Sequence, residues 1–157
     1  GGYVMPAWYD ILEMNLERKI DEPQLLVSAA GIQALIEREV TRGINTGRII
    51  LAGFSQGGAV VYQAGLSFTK PLAGLLIMSS YCATQASLQI NAANAATPIV
   101  IQHGSQDGVV PEVLGQRAYR FLSDHGCKVT YESYAMEHSL CAEQVLSISR
   151  WLQEWLA

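Results

Sequence analysis

The stretch "LAGFSQGGAV", residues 51–60, decides how the rest of the chain is read. It begins inside "RIILAGF" (48–54), a short, branched, glycine-bounded run with the composition of a buried strand. It leads into "AVVYQAGLSF" (59–68), apolar on nearly all sides, which predicts a helix enclosed by other elements. Between them one serine stands among Gly53, Gly57 and Gly58. Gly53-Phe54-Ser55-Gln56-Gly57 fits G-x-S-x-G, a turn so sharp that the residues two before and two after the serine nearly touch. On this reading Gly53 and Gly57 are structural glycines that make room, and Gly58 lets the helix approach its neighbours. Ser55 is held in a strained backbone state with its oxygen projecting. The helix then points its positive end, with the Gln56 N–H, at a reacting oxygen.

Working outward, Asp21 reads as an N-cap, with Pro23 just inside a helix and Gln24 at the capping-box position. Leu25, Ala29, Ile32, Ile36 and Val40 form its apolar stripe, and Gly43 stops it. Residues 1–21 read as loop, with Asp10 as a second cap. Downstream, 72–80 and 98–104 are buried strands, and 128–136 alternates as a fourth with one wetter face. Pro111 opens a helix with Val113, Leu114, Phe121 and Leu122 inward, stopped by Gly126. Ser139 caps a last helix whose inner side is Val145, Ile148, Leu152 and Trp155. Continuous apolar strands joined by helices predict an α/β fold, a mostly parallel sheet covered on both faces. The whole of 1–157 is expected to be one domain.

Composition narrows the function. Half of the 157 residues are hydrophobic, 15% are charged, and the net charge is -4. The ten basic residues are scattered, which argues against nucleic acid as a partner. No apolar run reaches the roughly 18 residues of a membrane span. Cys82, Cys127 and Cys141 have no paired spacing and are expected to be free thiols of a reducing, cytoplasmic compartment, with no metal bound.

In such sheets ligands gather at the carboxyl ends of the strands. The first predicted strand ends at Ser55, the third at "GSQD" with Asp107, the fourth at "MEHS" with His138. A hydroxyl, a carboxylate and an imidazole therefore converge on one rim, in the chain order Ser, Asp, His. His138 would serve as general base for Ser55, and Asp107 would fix its tautomer. His103, beside the acid turn, reads as structural, and His125, Asp124 and Glu137 as solvated.

At these residues the chain resembles a known family. "GGYVMPAWYDI", "RIILAGFSQGGAV", "HGSQDGVVP" and "MEHS" together are similar to the phospholipase/carboxylesterase group of α/β hydrolases, which includes bacterial carboxylesterases and acyl-protein thioesterases. The resemblance implies an α/β-hydrolase fold. It implies hydrolysis of short- to medium-chain carboxylic esters through an acyl-enzyme, without a cofactor. Acyl thioesters or lysophospholipids are the alternative substrates of the same triad. It carries the catalytic roles to Ser55, Asp107 and His138, one oxyanion donor to Gln56, and a substrate contact to Trp8. Family members place further strands, and a second oxyanion donor, ahead of the segment where this sequence starts. The expectation is therefore the C-terminal part of that fold, relying on a missing N-terminal segment or on a homo-oligomeric partner. If neither is supplied, a catalytically incompetent fragment acting only by association is the reading from another class.

Overall fold

The computed structural model describes residues 5–13 and 16–157; of the stretch read as loop, residues 1–4, 14 and 15 lie outside it. Among the described residues four α-helices and four strands follow one another as α1 (Glu22–Thr41), β1 (Ile50–Phe54), α2 (Gln56–Leu66), β2 (Gly74–Met78), β3 (Ile99–Gly104), α3 (Glu112–Asp124), β4 (Val129–Tyr134) and α4 (Ala142–Leu156). The strands lie in the order β1-β2-β3-β4 and pair in parallel throughout. All four carboxyl ends therefore share one rim, and everything placed after a strand lands there.

Side chains alternate across the sheet, so each strand feeds two layers. Leu75, Ile77, Ile99 and Ile101 join Tyr62, Leu66, Ala118 and Leu122 in the larger core, beneath α2 and α3. On the opposite face α4 lies so close that a Cβ on Gly74 would fall 2.3 Å from the Trp155 ring. Helix α2 is buried on nearly every side, from Gly58 to Tyr62 and from Ala64 to Leu66, as its all-round apolar sequence requires. A smaller cluster of Tyr9, Leu25, Ala29, Val60, Ala64 and Leu114 fixes α1 and the entering loop against α2.

Helix α1 starts as read: the Asp21 side chain accepts from the Gln24 N–H at 3.0 Å, and Gly43 (φ 95) lies just beyond its end. The Gln24 side chain does not close a capping box. It pairs with Asp10 instead, donating from Nε2 to Oδ2 (3.1 Å) and accepting from the Asp10 N–H (3.0 Å). Asp10 is thus a partner of the helix start and not a cap.

Two helix faces differ from the apolar stripes of the sequence. On α3 the buried residues are Leu114, Gly115, Ala118 and Leu122, and Val113 turns outward. Helix α4 is capped at Cys141, not Ser139, and buries Gln144 and Ser147 while Val145 is exposed. The cause lies on β4. Glu132 points under α4 and takes hydrogen bonds from Ser147 Oγ (2.7 Å), Trp151 Nε1 (2.9 Å), Tyr134 OH (2.7 Å) and Gln102 Nε2 (2.7 Å). A half-buried carboxylate needs donors more than α4 needs to bury a valine.

Among the described residues β1 has a neighbour on one side only, β2. An apolar groove of about 380 Å3 follows its other edge, lined by Trp8, Ile32, Leu51, Gly53 and Val60 among others. The expected additional segment or second copy concerns this edge. No described helix is long and apolar enough to cross a membrane.

Candidate active site

Ser55 sits between the last residue of β1 and the first of α2, with φ 53 and ψ -121. A side chain in this left-handed region is strained, and the surroundings hold it there. The Ser55 N–H donates to Met78 O (2.9 Å), and its carbonyl accepts from Ser80 Oγ (2.6 Å). The turn is as tight as the motif suggests at Gly53, where a Cβ would lie 2.4 Å from Gly57 O. Gly58 is equally constrained, since its Cβ would meet Ser80 Cβ at 2.5 Å. Gly57 is not. A Cβ there would meet only Trp8 Nε1, at an ordinary 3.6 Å, so the steric demand falls on Gly53 and Gly58.

The three side chains from separate strand ends come together. His138 Nε2 lies 3.0 Å from Ser55 Oγ, and His138 Nδ1 lies 2.7 Å from Asp107 Oδ2. A carboxylate only accepts, so the ring proton sits on Nδ1 and leaves Nε2 a bare acceptor facing the hydroxyl. The Asp107 side chain is wholly buried, and the His138 side chain is 17% exposed. Phe54 packs against the imidazole with ring centroids 4.7 Å apart. The second oxygen of Asp107 accepts from the Val109 N–H (2.9 Å) and the Val110 N–H (2.7 Å).

Comparison with known proteins identifies the family of the chain. The phospholipase/carboxylesterase family model matches residues 1–156. The chain belongs to that family, a family of serine hydrolases. Acyl-protein thioesterase 1 of Neurospora crassa is 36% identical over 99% of this chain and 67% of its own length. A probable carboxylesterase of Arabidopsis thaliana, SOBER1-like, is 32% identical over 98% of this chain and 60% of its own. The crystal structure of Arabidopsis thaliana SOBER1 superposes with a TM-score of 0.90 at 28% identity, covering 99% of this chain and 77% of that one. The fold is thus an α/β hydrolase, and the chain spans roughly two thirds of the length of these curated relatives.

Within this phospholipase/carboxylesterase chain, Gln56 does more than the sequence suggests. As the first residue of α2 its N–H lies at the open end of the helix, where no intrahelical carbonyl can reach. Its side chain ties the entering loop to the elbow, donating to Tyr9 O (3.1 Å) and accepting from the Trp8 N–H (3.4 Å). Trp8 is thereby fixed beside the elbow, itself 45% exposed, and its carbonyl accepts from Ser28 Oγ.

Gly104 is the residue that sequence reading missed. A Cβ there would collide with Met136 O at 2.3 Å and Glu137 O at 2.5 Å, both backbone atoms of the segment that delivers His138. Only a glycine at the end of β3 lets that loop pass close enough. His103 is fully buried and donates from Nε2 to Val110 O (2.8 Å), underpinning the acid loop. His125 is exposed at the end of α3, where its ring packs on Phe121. The cysteines are free thiols: Cys82 and Cys127 are buried, and burial pushes the Cys82 thiol up to about 12. Burial likewise pushes the Tyr9 phenol well above its ordinary range, with the Tyr81 phenol 2.9 Å away.

Proposed function

We propose that this chain carries out hydrolysis of short- to medium-chain carboxylic esters through a serine acyl-enzyme. The observation that carries the proposal is the continuous line from the buried Asp107 through His138 to Ser55 Oγ, with contacts of 2.7 and 3.0 Å.

In the first half-reaction Ser55 Oγ gives its proton to His138 Nε2 as its lone pair attacks the ester carbonyl carbon. The carbonyl π electrons move to oxygen, and the Gln56 N–H at the positive end of α2 stabilises that charge. As the oxyanion collapses, the bond to the leaving group breaks, and the leaving oxygen or sulfur takes the proton from His138. Water then repeats the sequence: it loses a proton to His138, attacks the acyl carbon, and frees Ser55 and the carboxylic acid. Asp107 keeps the imidazole in the tautomer that both halves need and offsets its charge while it is protonated. Trp8, exposed beside Gln56, is the proposed contact of the acyl part.

A thioester substrate is the second reading, favoured by relatives named acyl-protein thioesterases. The chemistry is the same up to the leaving atom. A series of p-nitrophenyl esters of increasing chain length, run beside an acyl thioester, separates the two. The mechanism itself is tested with a fluorophosphonate probe and intact-mass spectrometry. Wild-type protein is expected to gain one probe adduct at Ser55, and Ser55→Ala to gain none and lose about 10⁶ in turnover. Wild-type protein that stays unlabelled would favour a role by association only.

A further inference from the structure

The carboxylate of Asp107 is gripped by a peptide unit, and that peptide is gripped in turn from its far end. The Val110 N–H that donates to Asp107 Oδ1 belongs to the same planar unit as the Val109 carbonyl. That carbonyl accepts from the guanidinium of Arg18, a residue 91 positions earlier in the chain. Arg18 is buried, 7% exposed, which is uncommon for an arginine. Its backbone has φ 42, a left-handed conformation rarely taken by a residue of this kind. Its guanidinium lies 5.3 Å above the Tyr81 ring, and the Tyr81 hydroxyl bonds that of Tyr9 at 2.9 Å. A strained, buried cation stacked on an aromatic ring has been placed at this carbonyl by the fold.

From this geometry we infer that Arg18 is a positioning residue for Asp107. It holds the oxygen end of the Val109–Val110 peptide so that the N–H end stays aimed at the carboxylate. The cation at one end and the carboxylate at the other both align with the peptide dipole, so each hydrogen bond strengthens the other. Without Arg18 the peptide is free to tilt, Asp107 loses a directed donor, and the Asp107–His138 bond loses its fixed geometry. The inference rests on the catalytic roles proposed above. Nothing in the spacing of the sequence points to Arg18, which lies far from the three strand-end residues.

The test is a double-mutant cycle in the intact protein: Arg18→Gln and Arg18→Lys, each alone and combined with Asp107→Asn. The readouts are kcat and KM on a p-nitrophenyl ester, the rate of fluorophosphonate labelling, and the melting temperature. Arg18→Gln is expected to lower kcat about tenfold with KM nearly unchanged, since small misplacements of catalytic groups cost up to about 10². Arg18→Lys recovers part of this loss, keeping the charge but not the planar fork. In the Asp107→Asn background Arg18→Gln is expected to change labelling less than about twofold, because no carboxylate remains to be aimed. Equal fold losses in both backgrounds, or an unchanged kcat, overturn the inference. Should Arg18→Gln show no cooperative melting, Arg18→Lys decides the same cycle by the same criterion. Wild-type protein that does not label at Ser55 sinks the triad and this inference together; labelled wild type with additive losses sinks the inference alone.

Discussion

Replacing Asp107 by Asn exchanges one acceptor for a donor while keeping the shape of the side chain. Two orientations of the amide are available, and the surroundings choose between them. With the NH₂ group at the Oδ1 position it would face the N–H groups of Val109 and Val110, donor against donor, where the carboxylate now accepts at 2.9 and 2.7 Å. The amide oxygen therefore stays at Oδ1, and the NH₂ group lies at Oδ2, 2.7 Å from His138 Nδ1. Nδ1 must then accept, which moves the ring proton to Nε2. Nε2 in turn faces Ser55 Oγ at 3.0 Å as a donor and cannot take the hydroxyl proton. A wrong tautomer of this kind costs about 10⁴ in turnover, or about 5.4 kcal/mol of transition-state stabilisation. The fold should lose much less. The two backbone bonds persist but lose their charge assistance, about 1 kcal/mol each, so the melting temperature should drop by about 4–8 °C. Ester hydrolysis and probe labelling at pH 7 measure the first effect, and thermal melting the second. Asp107→Asn protein that labels within a few-fold of wild type would refute the tautomer argument, and with it the role given to Asp107.

Gly53→Ala and Gly57→Ala make a matched pair. The first puts a Cβ 2.4 Å from Gly57 O and 2.6 Å from Gly58 N, backbone atoms that cannot step aside, so melting temperature and Ser55 labelling should both fall sharply. The second meets only Trp8 Nε1 at 3.6 Å and should shift melting by less than about 2 °C; a reversed order in melting scans would contradict the elbow geometry. At Glu132 burial pushes the carboxyl up, but hydrogen bonds from Tyr134, Ser147, Gln102 and Trp151 outweigh it and hold the group below its ordinary 4.5. A depressed folded value means that this stabilisation is complete above 4.5 and is lost as the pH falls below it. Melting of Glu132→Gln should therefore decline less than wild type between pH 5 and pH 3, and equal declines would show that Glu132 contributes nothing to acid sensitivity.

How far the molecule was legible depended on the range of the constraint. Ser55 announces itself because Gly53, the strand before it and the helix after it lie within a few residues. Asp107 and His138 are readable because parallel strands send every carboxyl end to one rim. Gly104 was not, since the atoms that forbid its side chain, Met136 O and Glu137 O, come from another strand's exit loop. The face of α4 was misread for a related reason. Apolar periodicity reports what a helix would bury against a greasy sheet, whereas Glu132 makes this part of the sheet polar. Gln144, Ser147 and Trp151 do recur at helical spacing, but that pattern gains meaning only once a carboxylate is known to lie opposite.

The surroundings of the two carboxylates differ in a way that supports the proposed chemistry at one and architecture at the other. Glu132 is surrounded by a phenol, a hydroxyl, an amide and an indole, with the Arg150 guanidinium 3.5 Å away, and Gln102 Oε1 accepts in turn from Gln144 Nε2 at 3.1 Å. None of these groups exchanges a proton readily near neutral pH, so the cluster fastens α4 to β3 and β4. Asp107 is saturated differently. Its Oδ1 is occupied by backbone N–H groups, and its Oδ2 bonds the His138 imidazole, whose other nitrogen faces a hydroxyl, with His103 Nε2 farther off at 3.7 Å. That chain contains a group able to take and return a proton, and it ends at a serine held in a strained turn. The Glu132 cluster spans β4 and α4, the two elements that flank the His138 loop, and Gly104 lets that loop cross the end of β3. The polar cluster without chemistry thus braces the segment that presents the proposed base, and loosening it should blur the 3.0 Å contact without touching any reacting atom.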